Sequence, residues 1–190
     1  MRNLLILKKK LDMEKPPKLE GDKEVKLNII RERVNEIADA LNKPIDEGIK
    51  EAVVMFNVFG LRTTASCEGH PREPRTKERQ PAIAPWIDVG PEEPDKPDWT
   101  EDEELREKVY RKTREYKRKA MGLLGEFYER RKVPYDAMLG YGAGYWFRME
   151  SYGVEFLGDL PEAERLEKYK LYKKEMDDFA EFLREKYFSQ

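Results

Sequence analysis

One cysteine and one histidine occur in the 190 residues, and they stand three positions apart, at Cys67 and His70. They lie in Gly60-Leu61-Arg62-Thr63-Thr64-Ala65-Ser66-Cys67-Glu68-Gly69-His70, with a glycine between them. A turn at Glu68-Gly69 brings thiol and imidazole within reach of each other. Cys67 would then be a nucleophile if His70 takes its proton or lowers its pKa. The plain alternative makes Cys67 a small buried hydrophobe on the core face of a strand. His70 sits in a polar loop, off any apolar periodicity, and is a candidate ligand contact. A third chemistry needs no covalent step. Backbone N–H groups around Cys67-Glu68-Gly69 would form an anion-binding nest, with Thr64, Ser66 and His70 as side donors. Glu68 would instead accept from a ligand amide, amine or hydroxyl. One Cys and one His cannot make a zinc site unless carboxylates complete it, so no metal is expected.

These groups need a strand to hold them. Residues 62–67 read as extended, and a second strand reads from Ile83 to Val89, with Pro85 favouring an edge. Antiparallel pairing across the intervening loop sets Cys67 opposite Ile83 and Arg62 opposite Asp88. One face then carries Thr63, Ala65, Cys67, Ile83, Pro85 and Ile87, which reads as core. The other carries Arg62, Thr64, Ser66, Ala84, Trp86 and Asp88, a candidate pocket wall. A one-residue slip would exchange the faces. The candidate ligand-binding set is Arg62, Thr64, Ser66, Glu68, Gly69, Trp86 and Asp88, with Trp86 as a wall and Asp88 as an anchor. In that pairing Asp88 stands roughly 16 Å from the Cys67 end.

Around this stretch the apolar spacing is helical. Leu27, Ile30, Val34, Ile37, Ala38 and Leu41 mark a helix from about Glu24 to Leu41. A second begins near Pro44, with Asp46 and Glu47 in its first turn, and runs to Phe59. It is expected to be the most buried helix, with Gly60 as its C-terminal cap. Thr100 and Glu103 read as a capping box opening a helix that, continued to Lys132, would be about 50 Å long. Gly122 and Gly125 are places for a bend. Tyr145 to Glu150 reads as a strand, turning at Ser151-Tyr152-Gly153 into a hairpin with Val154–Leu157. Pro161 starts a last helix, with Leu166, Tyr169, Met176, Phe179, Ala180, Leu183 and Tyr187 facing inward. Residues 3 to 8 read as a short strand. Gly140-Tyr141-Gly142-Ala143-Gly144 lacks the phosphate-loop and dinucleotide patterns and reads as a loop or turn, with a lid as its functional version.

Residues 92 to 104 hold eight acids and one lysine, and residues 106 to 119 eight bases and two acids. Arg111, Arg114 and Arg118 are therefore candidates for tracking a nucleic-acid backbone, with Tyr110 or Tyr116 for stacking. Against this, Asp102–Arg106, Glu104–Lys108, Glu107–Arg111 and Glu115–Lys119 are spaced as ordinary ion pairs on a solvated helix. The whole chain has 37 basic and 39 acidic residues, so no global field draws it to nucleic acid or membrane. A single cysteine excludes an internal disulfide and suits a reducing cytoplasm. Four apolar residues before Lys8-Lys9-Lys10 are too few for a signal peptide, and no run is long enough to span a membrane.

The residues Pro44-Ile45-Asp46, Thr64-Ala65-Ser66-Cys67-Glu68-Gly69-His70 and Pro85-Trp86-Ile87-Asp88 resemble a group of bacterial and phage proteins. These share a T-x-S-C-E-G-H element and a downstream P-W strand, over roughly residues 44 to 89. The group brings no established activity. Thr63 to His70 is also similar to the T-T-S-S-C-S-G-R element of the tRNA wybutosine-synthesising methyltransferases. That resemblance implies an RNA substrate and S-adenosylmethionine, although Glu68 and His70 replace that family's serine and arginine.

The chain is expected to be one α+β domain over 1–190, with residues 1–23 as an arm or edge strand and 90–99 as a proline-rich linker. A small, mostly antiparallel sheet of four or five strands would pack against long amphipathic helices. The leading functional expectation is recognition of a small polar or anionic, nucleotide-like ligand at the Ser66–His70 loop. A Cys67/His70 enzyme acting on RNA or a nucleotide, and an interaction protein without a small-molecule site, stay open beside it. Cofactor and oligomeric state are left unassigned.

Overall fold

The most apolar stretch builds the centre of the molecule. In the computed structural model, which describes residues 23–38, 43–72, 82–96, 98–142 and 146–190, Ile49, Ala52, Val53, Val54, Met55, Phe56 and Val58 are all buried in helix α2, Glu47–Val58. A helix apolar on nearly every side must be covered on nearly every side. Helix α1, Lys23–Asn35, packs on it through Leu27 and Val34, and the last helix, α4, Glu162–Ser189, packs through Met176, Phe179, Ala180 and Leu183. The ring of Phe179 meets Phe56 edge-on at 5.9 Å and Phe127 of helix α3, Glu103–Tyr128, at 5.1 Å.

Gly60 ends α2 as expected. Its φ of +68° lets its N–H reach the Asn57 carbonyl at 2.8 Å and the Leu61 N–H reach Phe56 at 2.9 Å. That pair of bonds is the Schellman closure. The chain then enters a four-stranded antiparallel sheet, ordered β1 (Thr63–Cys67), β2 (Trp86–Val89), β4 (Phe147–Ser151) and β3 (Leu139–Tyr141). The fold is α+β. Ile87, Val89, Phe147 and Met149 face the helices and are buried. The opposite face carries Ala65, Cys67, Trp86, Asp88, Arg148 and Glu150 by register.

Several boundaries differ from expectation, each for a local reason. Helix α1 stops at Asn35 because Ala38 bridges to Pro44, which also delays α2 to Glu47. Helix α3 opens at Asp102 rather than Thr100: the Asp102 carboxylate, a better cap than a threonine hydroxyl, accepts from Leu105 N–H at 3.1 Å. It runs through Gly122 and Gly125 as unbroken α-helix to Tyr128. The expected hairpin at 154–157 does not form, because β2 and β3 occupy both edges of β4. Residues 152–159 coil instead as a 3-10 segment, and a Cβ on Gly153 would meet the Tyr172 hydroxyl at 2.1 Å. The strand expected at 3–8, most of the 71–80 loop and the 143–145 part of the glycine-rich stretch lie outside the described residues. No described helix is long and apolar enough to cross a membrane.

Candidate functional site

The site begins with an aspartate that does not cap its own helix. Asp46 immediately precedes α2, where an aspartate ordinarily accepts from a first-turn N–H, yet its side chain makes no such bond. Its Oδ2 accepts instead from the backbone N–H of Glu68 at 3.2 Å and lies 3.8 Å from Nε2 of His70. Glu68 returns the exchange by accepting from Gly48 N–H at 2.8 Å, so the loop caps the helix and the helix residue caps the loop. A Cβ at position 48 would stand 2.2 Å from that Glu68 oxygen. Position 69 is equally constrained: Gly69 has φ +87°, and a Cβ there would lie 2.7 Å from the Ala84 carbonyl carbon.

This clamp holds Cys67 and His70 as the sequence anticipates, and adds a third group. One donor atom from each of Asp46, Cys67 and His70 lies within 4.8 Å of the other two. It is the one such set of His, Cys and carboxylate donors among the described residues. All three side chains are partly exposed. Burial pushes the Cys67 thiol up; the Gly69 N–H, 3.4 Å from Sγ, opposes this, and the Asp46 and Glu68 carboxylates reinforce it. That direction is opposite to the one a thiolate nucleophile requires.

The expected anion nest is not formed. The Glu68 N–H is bonded to Asp46, the Gly69 N–H to Cys67 Sγ, and the His70 N–H to the Ala82 carbonyl at 2.6 Å. Three donors that would have met an anion are engaged within the protein.

The strand register also differs from expectation. Cys67 pairs with Trp86, Ser66 with Ile87 and Ala65 with Asp88, three residues away from the anticipated alignment. A bulge at Thr64 separates Thr63, opposite buried Val89, from Ala65, opposite Asp88. Cys67 therefore shares the face of Trp86 and Asp88, while Ser66 turns to the helical side. Asp88 is held not by Arg62 but by Arg148, whose guanidinium donates to both its oxygens at 2.8 and 2.9 Å. The same guanidinium stacks 3.7 Å over the Trp86 ring. Thr64 Oγ1 donates to the Asp88 carbonyl at 3.3 Å, and Arg62 lies at the far end of β1, near Tyr116 of α3. On α3, Arg114 pairs with Glu107 at 2.7 Å, while Arg111 and Arg118 are exposed. The helix meets β1 at the end away from Cys67.

Beyond the loop, the open sheet face forms a groove of about 220 Å³. Residues 82–84, which abut Gly69 and His70, make one wall; Trp86, Arg148 and Glu150 line it, with Glu155 at the rim. Trp86 Nε1 is buried and has no hydrogen-bond partner among the described residues. Burial pushes the Glu150 carboxyl up, with Asp88 and Glu155 adding to this against Arg148.

Sequence reading missed Asp46, Arg148 and Glu150 as site residues. Asp46 reads locally as a dipole partner of α2. The alternation of Arg148 and Glu150 with Phe147 and Met149 was the available signal for the other two. No family model matches this chain, nor does any curated protein or solved structure.

Proposed function

We propose that the protein recognises a small neutral or cationic polar molecule in the groove adjoining the Ser66–His70 loop. The observation that supports this most directly is a buried donor without a partner, the Trp86 indole N–H, on the sheet face that also carries the half-buried Glu150 carboxyl. Buried polar groups are ordinarily paired, and the exceptions mark places where something else completes them. At about 220 Å³ the groove takes a single ring rather than a drug-sized molecule. Arg148 covers one face of the indole and takes it from a guest. A planar heterocycle with an amide-like edge, such as a nucleobase, offers these two groups an acceptor and a donor.

The electrostatics favour the nucleoside over its phosphates, because Glu150 and Glu155 line the groove, Arg148 there is already paired with Asp88, and the loop N–H groups are engaged. This reading asks no covalent step of Cys67. The test is a titration with cytidine and adenosine, each against its 5′-monophosphate, following the Trp86 indole N–H resonance assigned through Trp86→Phe. Nucleoside should move that resonance, Glu150→Ala should weaken binding by about tenfold, and the monophosphate should bind less well. A Trp86 signal that stays fixed, or affinity unchanged in Glu150→Ala, would remove the proposal.

A further inference from the structure

We propose that Asp46, Cys67 and His70 form a binding site for a divalent transition-metal ion, zinc foremost, with a fourth position left open. The side chains are different from those proposed to read the groove ligand, so the two proposals stand separately.

The donor set carries the choice of ion. A thiolate and an imidazole with one carboxylate suit zinc and its neighbours, whereas magnesium and calcium take oxygen donors. Three protein donors with one position open is the arrangement of reactive rather than purely structural zinc sites. Around a zinc ion at about 2.0 Å from nitrogen or oxygen and 2.3 Å from sulfur, tetrahedral donors stand roughly 3.3–3.8 Å apart. The donors here lie within 4.8 Å of one another, with His70 Nε2 already 3.8 Å from Asp46 Oδ2. Closing the remainder takes movements on the order of 1 Å.

The second observation is how two of the donors are held. Outer hydrogen bonds that orient ligands are the ordinary accompaniment of a metal site. Asp46 Oδ2 accepts from Glu68 N–H, and Cys67 Sγ from Gly69 N–H. Asp46 forgoes the cap bond its position offers and turns towards Cys67 and His70, and the helix cap passes to Glu68. A residue placed only to stabilise α2 would bond to α2.

Charge also balances. Zinc displaces the thiol hydrogen as a proton, so one thiolate and one carboxylate neutralise the dication while His70 binds as neutral imidazole. The positive end of α2 opposes a cation here, and the Glu68 carboxylate on Gly48 N–H offsets it.

The experiment uses the full chain, stripped with chelator and titrated with cobalt chloride and then zinc chloride. One cobalt per chain should bind with release of about one proton, an intense visible spectrum of tetrahedral type and a near-ultraviolet thiolate-to-cobalt band, and zinc should then bleach both bands. Cys67→Ser should abolish the near-ultraviolet band, and Asp46→Asn and His70→Gln should each weaken binding by about 100-fold or more. Against the case of a variant that does not fold, the native chain supplies a second measurement: zinc should slow alkylation of Cys67 and chelator should restore it. Alkylation indifferent to saturating zinc, or cobalt spectra unchanged by Cys67→Ser, would overturn the proposal. Loss of nucleoside binding in Glu150→Ala with the cobalt spectrum intact separates this site from the groove.

Discussion

Gly69 shows why the loop tolerates so little change. At φ +87° any side chain incurs a backbone penalty, and a Cβ would in addition strike the Ala84 backbone at 2.7–2.8 Å. Gly69→Ala is therefore expected to destabilise the chain by about 2 kcal/mol or more, read as a lowered urea midpoint. The neighbouring Glu68 has a job of the same kind, holding α2 through Gly48. Between Cys67 and His70, then, Glu68 and Gly69 fix geometry. Away from the loop, Asp136 accepts from Lys168 at 2.5 Å and from the Tyr172 hydroxyl at 2.8 Å. The Lys168 bond, followed by that of Tyr172, holds its carboxyl below the usual range despite partial burial. A carboxyl with a depressed folded pKa contributes stability above its unfolded pKa and loses it as pH falls through the folded one. Urea midpoints of the native chain should thus drop on acidification below about pH 4, and more steeply than those of Asp136→Asn.

At the scale of elements, the end of α3 is tied to α4 by an ion pair that is costly to break from one side. Arg131 stacks on Phe127 at 4.5 Å and donates to Glu175 and Asp178 at 2.7 Å each. Glu175 is only 2% exposed. Removing the guanidinium leaves a buried carboxylate uncompensated, so Arg131→Met is expected to lose about 3 kcal/mol or more, whereas Arg131→Met with Glu175→Leu should recover most of it. Thermal or urea unfolding of the two variants checks this, and equal losses in both would argue that packing rather than charge is what matters. Neither partner is visible as a pair in the sequence, because 44 residues separate them. The helices themselves were legible, since apolar residues recurring every three or four positions over several turns fit a helix and little else. Their ends were less so: the starts of α2 and α3 depend on a bridge at Pro44 and on which of two acceptors wins the cap.

For the molecule as a whole, the architecture and part of the site were readable, and the rest was not, for identifiable reasons. An α+β arrangement with a small antiparallel sheet follows from where helical and alternating patterns fall. The meeting of Cys67 with His70 follows from a glycine at the turn between them. Asp46 joins them from a segment 21 residues before Cys67, and no local pattern announces a contact made by folding α2 back against β1. The sheet has one face against helices and one largely open, and the open face is where Cys67, Trp86, Asp88, Arg148 and Glu150 gather. Antiparallel sheets commonly leave one face to solvent, and here that bare face supplies the ground for both the groove and the donor cluster.

The bulge at Thr64 has a consequence for everything placed after it. Between Thr63 and Ala65 the first strand carries one more residue than its neighbour. If all five residues kept step, the thiol would follow Thr63 to the inner side. Thr64 is exposed, and because it bulges out of the ladder the residues after it keep the alternation of a strand that lacks it. Excising it would leave two regular strands with the sulfur still outside; inserting a residue between positions 65 and 67 would carry the sulfur in among the helices. Which side of the sheet this protein offers to the world is settled by whether a short count comes out odd or even.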